Sequence, residues 1–302
     1  MTSLKSAVKR TFCYFEIFNY SPSQEEIYRY LIGTKCSLPD LRPFVRHCPK
    51  KQVPSALLVE KLCTANRLAV LASKMPGVRA VFLTGDLAAG GAKETSDADF
   101  MVITRQGGLF LVRLGLTVLF SLTLKRRSRY HPLIGLISHI RPIKTFACFN
   151  IFFEEESLSM PKERQNLFVA QEIARVKPLV DKGEYYQKFL SANRWILEFL
   201  PNFVESAQPP AHPGQSVLEH VASKNAVSGS RIFAVEGLQR ITSKLKLAGK
   251  PVHANKTSLG GRAGGHPKQL FLHPKDLTSG ILSLYKQNCQ RAGVTPSKLY
   301  ET

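Results

Sequence analysis

The chain has 302 residues, of which 44% are apolar, and 42 Lys and Arg outnumber 22 Asp and Glu to give a net charge of +20. That apolar share can bury a sizeable core, which excludes a wholly disordered or collagen-like chain. The excess of positive charge predicts anionic partners, namely phosphates, nucleic acid or an acidic membrane surface. The length corresponds to about two domains of ordinary size.

Residues 1–53 are predicted to form a module of short helices. Aromatic residues recur at helical spacing between residues 12 and 18, and Ser23 is followed three residues later by Glu26, the pattern of an N-terminal capping box. Two or three short helices with a tight break are typical of a helix-turn-helix or winged-helix-like module. A small helical cap packed on the next domain is an equal alternative.

Residues 54–156 are predicted to form the central domain. Leucines at helical spacing indicate a first helix, and runs of β-branched and aromatic residues indicate three strands. The predicted order is a helix at 54–75, strands at 78–84 and 99–104, an apolar helix at 109–124 and a strand at 145–153. This order predicts a small mixed sheet with helices on it, an α+β fold.

Residues 157–302 are predicted to be a C-terminal helical region. Helical spacing of apolar residues indicates helices at 166–175, 183–200 and 275–290. Between them, residues 206–265 are rich in Pro, Gly, Ser and Lys, which predicts a basic and partly mobile stretch.

The cysteines and the apolar runs predict a cytoplasmic protein without a membrane partner. The six cysteines are scattered and form no Cys-x-x-Cys pair, which is typical of a reducing compartment. The most apolar stretch, residues 109–124, contains Arg113 and is shorter than the ~20 residues of a bilayer span. It therefore predicts a buried helix.

Two aspartates, Asp97 and Asp99, open the second predicted strand. Because side chains alternate along a strand, both carboxylates are expected on one face. Two adjacent carboxylates repel unless a hard cation lies between them, and Mg²⁺ typically takes one or two carboxylates together with substrate phosphate oxygens. Gly85 lies 12 residues upstream at the end of the first strand, where a glycine lets a triphosphate approach the backbone closely.

From Phe82 to Ile103 the chain resembles the signature of the DNA polymerase beta-type nucleotidyltransferase superfamily. That signature is a hydrophobic strand, Gly-Ser, a spacer, and Asp-x-Asp entering a second strand, and the interval from Gly85 to Asp97 has its spacing. Flanking stretches extend the likeness, to microbial nucleotidyltransferase-domain proteins, over most of the chain. They are residues 14–20 (YFEIFNY), 193–201 (NRWILEFLP) and 273–276 (HPKD).

The resemblance implies a metal-dependent nucleotidyltransferase. Asp97 and Asp99 would be its catalytic residues and would hold Mg²⁺ or Mn²⁺, orienting an acceptor hydroxyl for in-line attack on the α-phosphorus of a nucleoside triphosphate. Gly85, Asp86 and Ser96 would bind the nucleotide, Gly85 through its backbone. The implied reaction transfers NMP from an NTP and releases pyrophosphate.

Two departures from the family pattern leave a second alternative. Asp86 stands where the family has Ser, and its negative charge would repel a triphosphate unless a cation or a rotated side chain intervenes. The third predicted strand has no acid, and Cys148 and Asn150 are its polar candidates, so a general base or second-metal ligand is missing there. The alternative is a catalytically degenerate nucleotide-sensing or DNA-binding protein on the same fold.

Two basic tracts are candidates for phosphate or nucleic-acid binding. Residues 100–153 hold eight Lys or Arg and no acid, densest at 125–129, and residues 206–275 hold ten Lys and Arg against two Glu. Charge alone binds a nucleic-acid backbone. The alternatives are a solvated helix end, where cations complement the helix dipole, and a basic surface segment.

Overall fold

A computed structural model describes most of the chain, in seven ranges. They are residues 3–50, 54–91, 93–123, 147–203, 258–262, 267–272 and 277–297. The predicted basic cluster at 125–129 and most of the stretch at 206–265 lie outside the described residues.

The described ranges contain ten α-helices and six strands. The helices are α1 (Leu4–Glu16), α2 (Gln24–Arg29), α3 (Leu38–Leu41), α4 (Ala56–Ser73), α5 (Gly85–Ala88), α6 (Leu109–Thr123), α7 (Leu167–Arg175), α8 (Tyr185–Ala192), α9 (Ile196–Phe199) and α10 (Thr278–Arg291), with 3₁₀ turns at Arg42–Phe44 and Lys162–Arg164. The strands are β1 (Val78–Thr84), β2 (Ala98–Thr104), β3 (Ala147–Glu154), β4 (Lys177–Asp181), β5 (Ser258–Arg262) and β6 (Pro267–Phe271). The predicted α+β class is confirmed.

The strands form one mixed sheet in the order β4-β1-β2-β3-β6-β5. β2 and β3 are parallel, and the other neighbouring pairs are antiparallel. The parallel pair needs a crossover connection, and α6 lies between its two strands in the chain. Strands β4, β5 and β6 come from beyond residue 156, so the predicted C-terminal helical region also supplies half of the sheet.

Helices cover both faces of the sheet because side chains alternate along its strands. On one face, Val81, Leu83 and Phe100 pack with apolar residues of α4 and α6. On the other, Phe82 and Met101 pack with α1, α7, α8 and α10. Helix α1 thus contributes to the same core as the sheet.

Helix α6 is buried on one face only, so the prediction of a buried helix is half right. Its buried side chains are Leu109, Val112, Leu116 and Phe120, and its exposed ones include Phe110, Leu111, Leu114 and Val118. Among the described helices, none has the length and apolar character needed to cross a membrane.

Two other predictions need correction or refinement. Residues 3–50 form three α-helices and a 3₁₀ turn, and the described part has no strand that would make the wing of a winged helix. The single helix predicted at 183–200 is two helices, α8 and α9. It breaks at Asn193, whose side chain donates to the carbonyls of Leu158 and Phe189 and accepts from the Met160 N–H, because such side-chain bonds compete with the helix backbone.

Candidate active site

Four strand ends meet at one edge of the sheet. Because β1 runs antiparallel to both β2 and β4, and β3 runs parallel to β2, the end of β1 lies beside the starts of the other three strands. Thr84 pairs with Asp99, Asp99 with Cys148, and Leu83 with Lys177. The predicted site residues of three separate segments therefore share this edge.

The aspartate pair contacts the start of β3. The Asn150 side-chain N–H donates to Asp99 Oδ1 over 2.6 Å, and the Cys148 thiol lies 3.9 Å from Asp97 Oδ2. Phe149, between them in sequence, stacks on Phe100 with ring centres 5.0 Å apart. The two polar candidates of the third strand thus face the aspartates, where an amide and a thiol stand in place of an acid.

Negative charge is concentrated around Asp99. Burial, followed by the charges of Asp97 and Glu172, raises the pKa of Asp99 to about 7, and Asp86 adds to the effect. The hydrogen bond from Asn150 acts in the opposite direction. Three other carboxyl groups therefore act on Asp99 at the sheet edge, in a chain that is strongly basic overall.

Gly85 is required by the backbone at the end of β1. It has a φ of +68°, and a Cβ placed there would lie 2.7 Å from Asp99 Oδ2. Only glycine adopts this conformation readily. The sequence predicted a close approach of the backbone to a ligand here, and the structure shows a close approach to the catalytic candidate Asp99.

Asp86 and Ser96, both predicted to bind nucleotide, contact each other. Ser96 Oγ donates to Asp86 Oδ2 over 3.0 Å and accepts from the Lys93 N–H over 3.0 Å. The Gly91 N–H donates to the Asp86 carbonyl over 2.9 Å. These bonds tie the two ends of the loop between β1 and β2, while the Asp86 side chain remains exposed.

Glu172 is a site residue that the sequence analysis missed. It lies in the last turn of α7, partly buried, with its carboxylate against the Gly85 backbone N–H. Burial raises the pKa of Glu172, the nearby Arg175 lowers it, and Asp86 raises it further. Nothing in the pattern of α7 distinguishes this acid from a solvated one.

Lys61 is the second residue missed. It lies in α4 and is 3% exposed, with its ammonium bonded to two carbonyl oxygens of the loop that precedes Asp97. A sequence signal existed, because Lys61 falls on the apolar stripe of its helix, between Leu58 and Leu62.

The donor set fits a hard divalent cation. Among the described residues, no three His, Cys, Asp or Glu side chains converge as a metal site. Asp97 and Asp99 still match Mg²⁺ or Mn²⁺, because Mg²⁺ usually takes one or two carboxylates and completes its shell with water and phosphate oxygens. Burial first, and the charge of Asp97 second, raise the pKa of Asp99, and a cation bound between the two carboxylates would oppose both effects.

Comparisons with known proteins add no assignment. No protein-family model matches the chain, and no curated protein or solved structure matches it either.

Proposed function

We propose that the chain is a metal-dependent nucleotidyltransferase that transfers NMP from an NTP to a hydroxyl acceptor. The observation that carries the proposal is the meeting of Asp97 and Asp99 with the Gly85 backbone at one edge of a mixed sheet. The acceptor oxygen would bond to the α-phosphorus as the bond to the β-phosphate bridge breaks. Pyrophosphate leaves, and the hydroxyl proton passes to solvent.

The residues have distinct roles in this proposal. Asp97 and Asp99 would hold Mg²⁺ or Mn²⁺, and Asn150 would orient Asp99 through its 2.6 Å hydrogen bond. Bound there, the cation would offset the charge of the triphosphate. Gly85 would let the phosphates approach the backbone, and the bond between Asp86 and Ser96 would keep the loop in shape.

The test is transfer of label from α-labelled NTPs in the presence of Mg²⁺ or Mn²⁺. Nucleic-acid ends, the protein itself and small hydroxyl compounds serve as acceptors, and pyrophosphate release reports turnover independently of the acceptor. We expect Asp97→Ala with Asp99→Ala to lower turnover on the order of a hundredfold or more.

A matched control removes two exposed acids elsewhere, Glu60→Ala with Glu198→Ala, and should keep wild-type turnover. Equal activity in wild type and the Asp97/Asp99 double variant would contradict the proposal.

A second candidate function is nucleotide sensing without turnover. It is favoured by Asn150, which cannot accept a proton as a carboxylate does, and by Glu172, whose carboxylate already faces the Gly85 N–H. This candidate predicts thermal stabilisation by NTP with Mg²⁺, and no release of pyrophosphate. Turnover that depends on Asp97 and Asp99 would rule it out.

A further inference from the structure

Lys61 makes two short hydrogen bonds to the segment that leads into the aspartate pair. Its Nζ donates to the Glu94 carbonyl over 2.8 Å and to the Ser96 carbonyl over 2.6 Å. Lys61 is 3% exposed. Among the described residues, the hydrogen-bond acceptors of this buried ammonium are therefore main-chain oxygens rather than a carboxylate.

The Ser96 carbonyl belongs to the peptide bond that joins Ser96 to Asp97. Because a peptide unit is planar, fixing that oxygen also fixes the direction of the Asp97 N–H and the plane of the peptide bond that enters Asp97. The second bond, to Glu94, holds the chain two residues earlier. One cation thus anchors the backbone at two points, Glu94 and Ser96, before the first carboxylate.

The Ser96 side chain is held as well. Its Oγ accepts from Lys93 and donates to Asp86, so both the backbone and the hydroxyl of this residue have fixed partners. Three sets of hydrogen bonds therefore hold the loop from Gly85 to Asp97. One joins Ser96 to Asp86, one uses the loop's own N–H groups, and one joins the loop to α4 through Lys61.

A lysine at this position carries an energetic cost. Burying an ammonium without a carboxylate costs free energy, whereas the neighbouring inward positions of α4, Leu58 and Leu62, bury apolar surface favourably. A methionine at position 61 would keep the apolar stem and avoid that cost, but it could not bond the two carbonyls.

We infer that Lys61 is a positioning residue, which sets Asp97 and Asp99 in the geometry that binds a divalent cation. The inference rests on the proposed function, since that function assigns the metal to these two aspartates. Lys61 acts through the backbone of Glu94 and Ser96 and touches neither metal nor nucleotide.

The test measures Mn²⁺ affinity of the full chain by electron paramagnetic resonance of free Mn²⁺, without nucleotide. We expect Lys61→Met to weaken binding at least tenfold, the range found when groups supporting metal ligands are removed. Lys61→Arg keeps a cation with several donors and should recover most of the affinity. Lys74→Met, an exposed lysine at the end of the same helix, should bind as wild type.

Circular dichroism and thermal unfolding establish that each variant is folded. If Lys61→Met does not fold, Lys61→Gln replaces it, with the same loss expected because the shorter side chain cannot reach both carbonyls. The inference is overturned if the folded variant, Lys61→Met or Lys61→Gln, binds Mn²⁺ as tightly as the wild type does. It is also overturned if the wild type binds no Mn²⁺. Mn²⁺ binding that depends on Lys61, in a protein that transfers no NMP, upholds it and overturns the proposed function alone.

Discussion

Asp99 lies among three other acids in a protein whose net charge is +20. Asp97 comes directly before β2, Asp86 from α5, and Glu172 from α7. Holding these four carboxyl groups together lowers the stability of the ligand-free protein, because like charges repel and burial disfavours the charged forms. The same arrangement favours a ligand that brings cations with its anionic groups, as a metal-bound nucleotide does.

Glu172→Gln tests how strongly the Glu172 carboxylate weakens nucleotide binding. Removing the charge beside the Gly85 N–H should tighten binding of metal-free NTP roughly threefold to tenfold, or about 0.6–1.4 kcal/mol. Fluorescent NTP titrated in the presence of EDTA measures the change. Glu163→Gln, at an exposed acid of a 3₁₀ turn, is the control; unchanged or weaker binding in Glu172→Gln would refute this role.

Two glycine substitutions should have opposite effects on stability. Gly85→Ala forces a side chain into a left-handed conformation and places Cβ 2.7 Å from Asp99 Oδ2, so we expect a loss of about 1–2 kcal/mol or more and weaker Mn²⁺ binding. Gly280→Ala, within α10 and with nothing within 4 Å of the added Cβ, should gain about 0.5–1 kcal/mol. Urea unfolding measures both; a neutral Gly85→Ala would show that the approach to Asp99 is not tight.

The sequence predicted those site residues whose roles depend on their neighbours in the chain. Spacing and strand alternation located Gly85, Asp97 and Asp99, and Asn150 was named as a polar candidate of the third strand. Glu172 reaches the site only because α7 packs across the sheet, a long-range contact that leaves no trace in local periodicity. Lys61 was detectable as a lysine on an apolar stripe, but its partners are backbone carbonyls, which have no residue signature.

At the scale of elements, the strands that were predicted are those with long β-branched or aromatic runs. β1 was predicted at its observed bounds, and β2 and β3 within two residues. β4 was missed because it has five residues, follows α7 after a single residue, and contains Pro178. Within sheets, proline is found mainly in the outermost strands. β4 is an edge strand in the observed order.

Lys177, the first residue of β4, makes stability depend on pH. It is 7% exposed, and burial lowers its pKa to about 8, partly offset by Glu26. Below pH 8 the lysine is protonated whether the chain is folded or not. Between pH 8 and about 10 the unfolded chain holds a proton that the folded one has released, so this group makes the free energy of unfolding rise with pH.

The measurement compares wild type with Lys177→Met in urea between pH 7.5 and 9.5. The wild type should gain stability relative to the variant as pH rises, by at most about 1.4 kcal/mol per pH unit. Subtraction removes the titration of groups that both proteins share. A stability difference that is constant across this range would show that Lys177 keeps its proton in the folded protein.

At the scale of the whole molecule, the N-terminal helix is part of the main core. Tyr14 is fully buried and packs on Tyr285 of α10, with ring centres 6.2 Å apart. The Arg175 guanidinium lies 5.0 Å from the ring centre of Phe15 and 4.4 Å from that of Tyr30. Deleting residues 1–50 would therefore remove core side chains, so DNA binding by this segment is better tested with surface substitutions.

Tyr14→Ala should destabilise the sheet and the N-terminal helices together. Losing a fully buried aromatic side chain costs about 3–5 kcal/mol, and since α1, α7 and α10 share one core, we expect one cooperative transition. Fluorescence of Trp195, the only tryptophan, and circular dichroism at 222 nm report different parts of the molecule. Both urea midpoints should fall equally, while Phe44→Ala, at a 39% exposed position, should change the free energy of unfolding by less than about 1 kcal/mol. A Trp195 transition that stays at its wild-type midpoint while the dichroism midpoint falls would mean that the N-terminal helices unfold on their own.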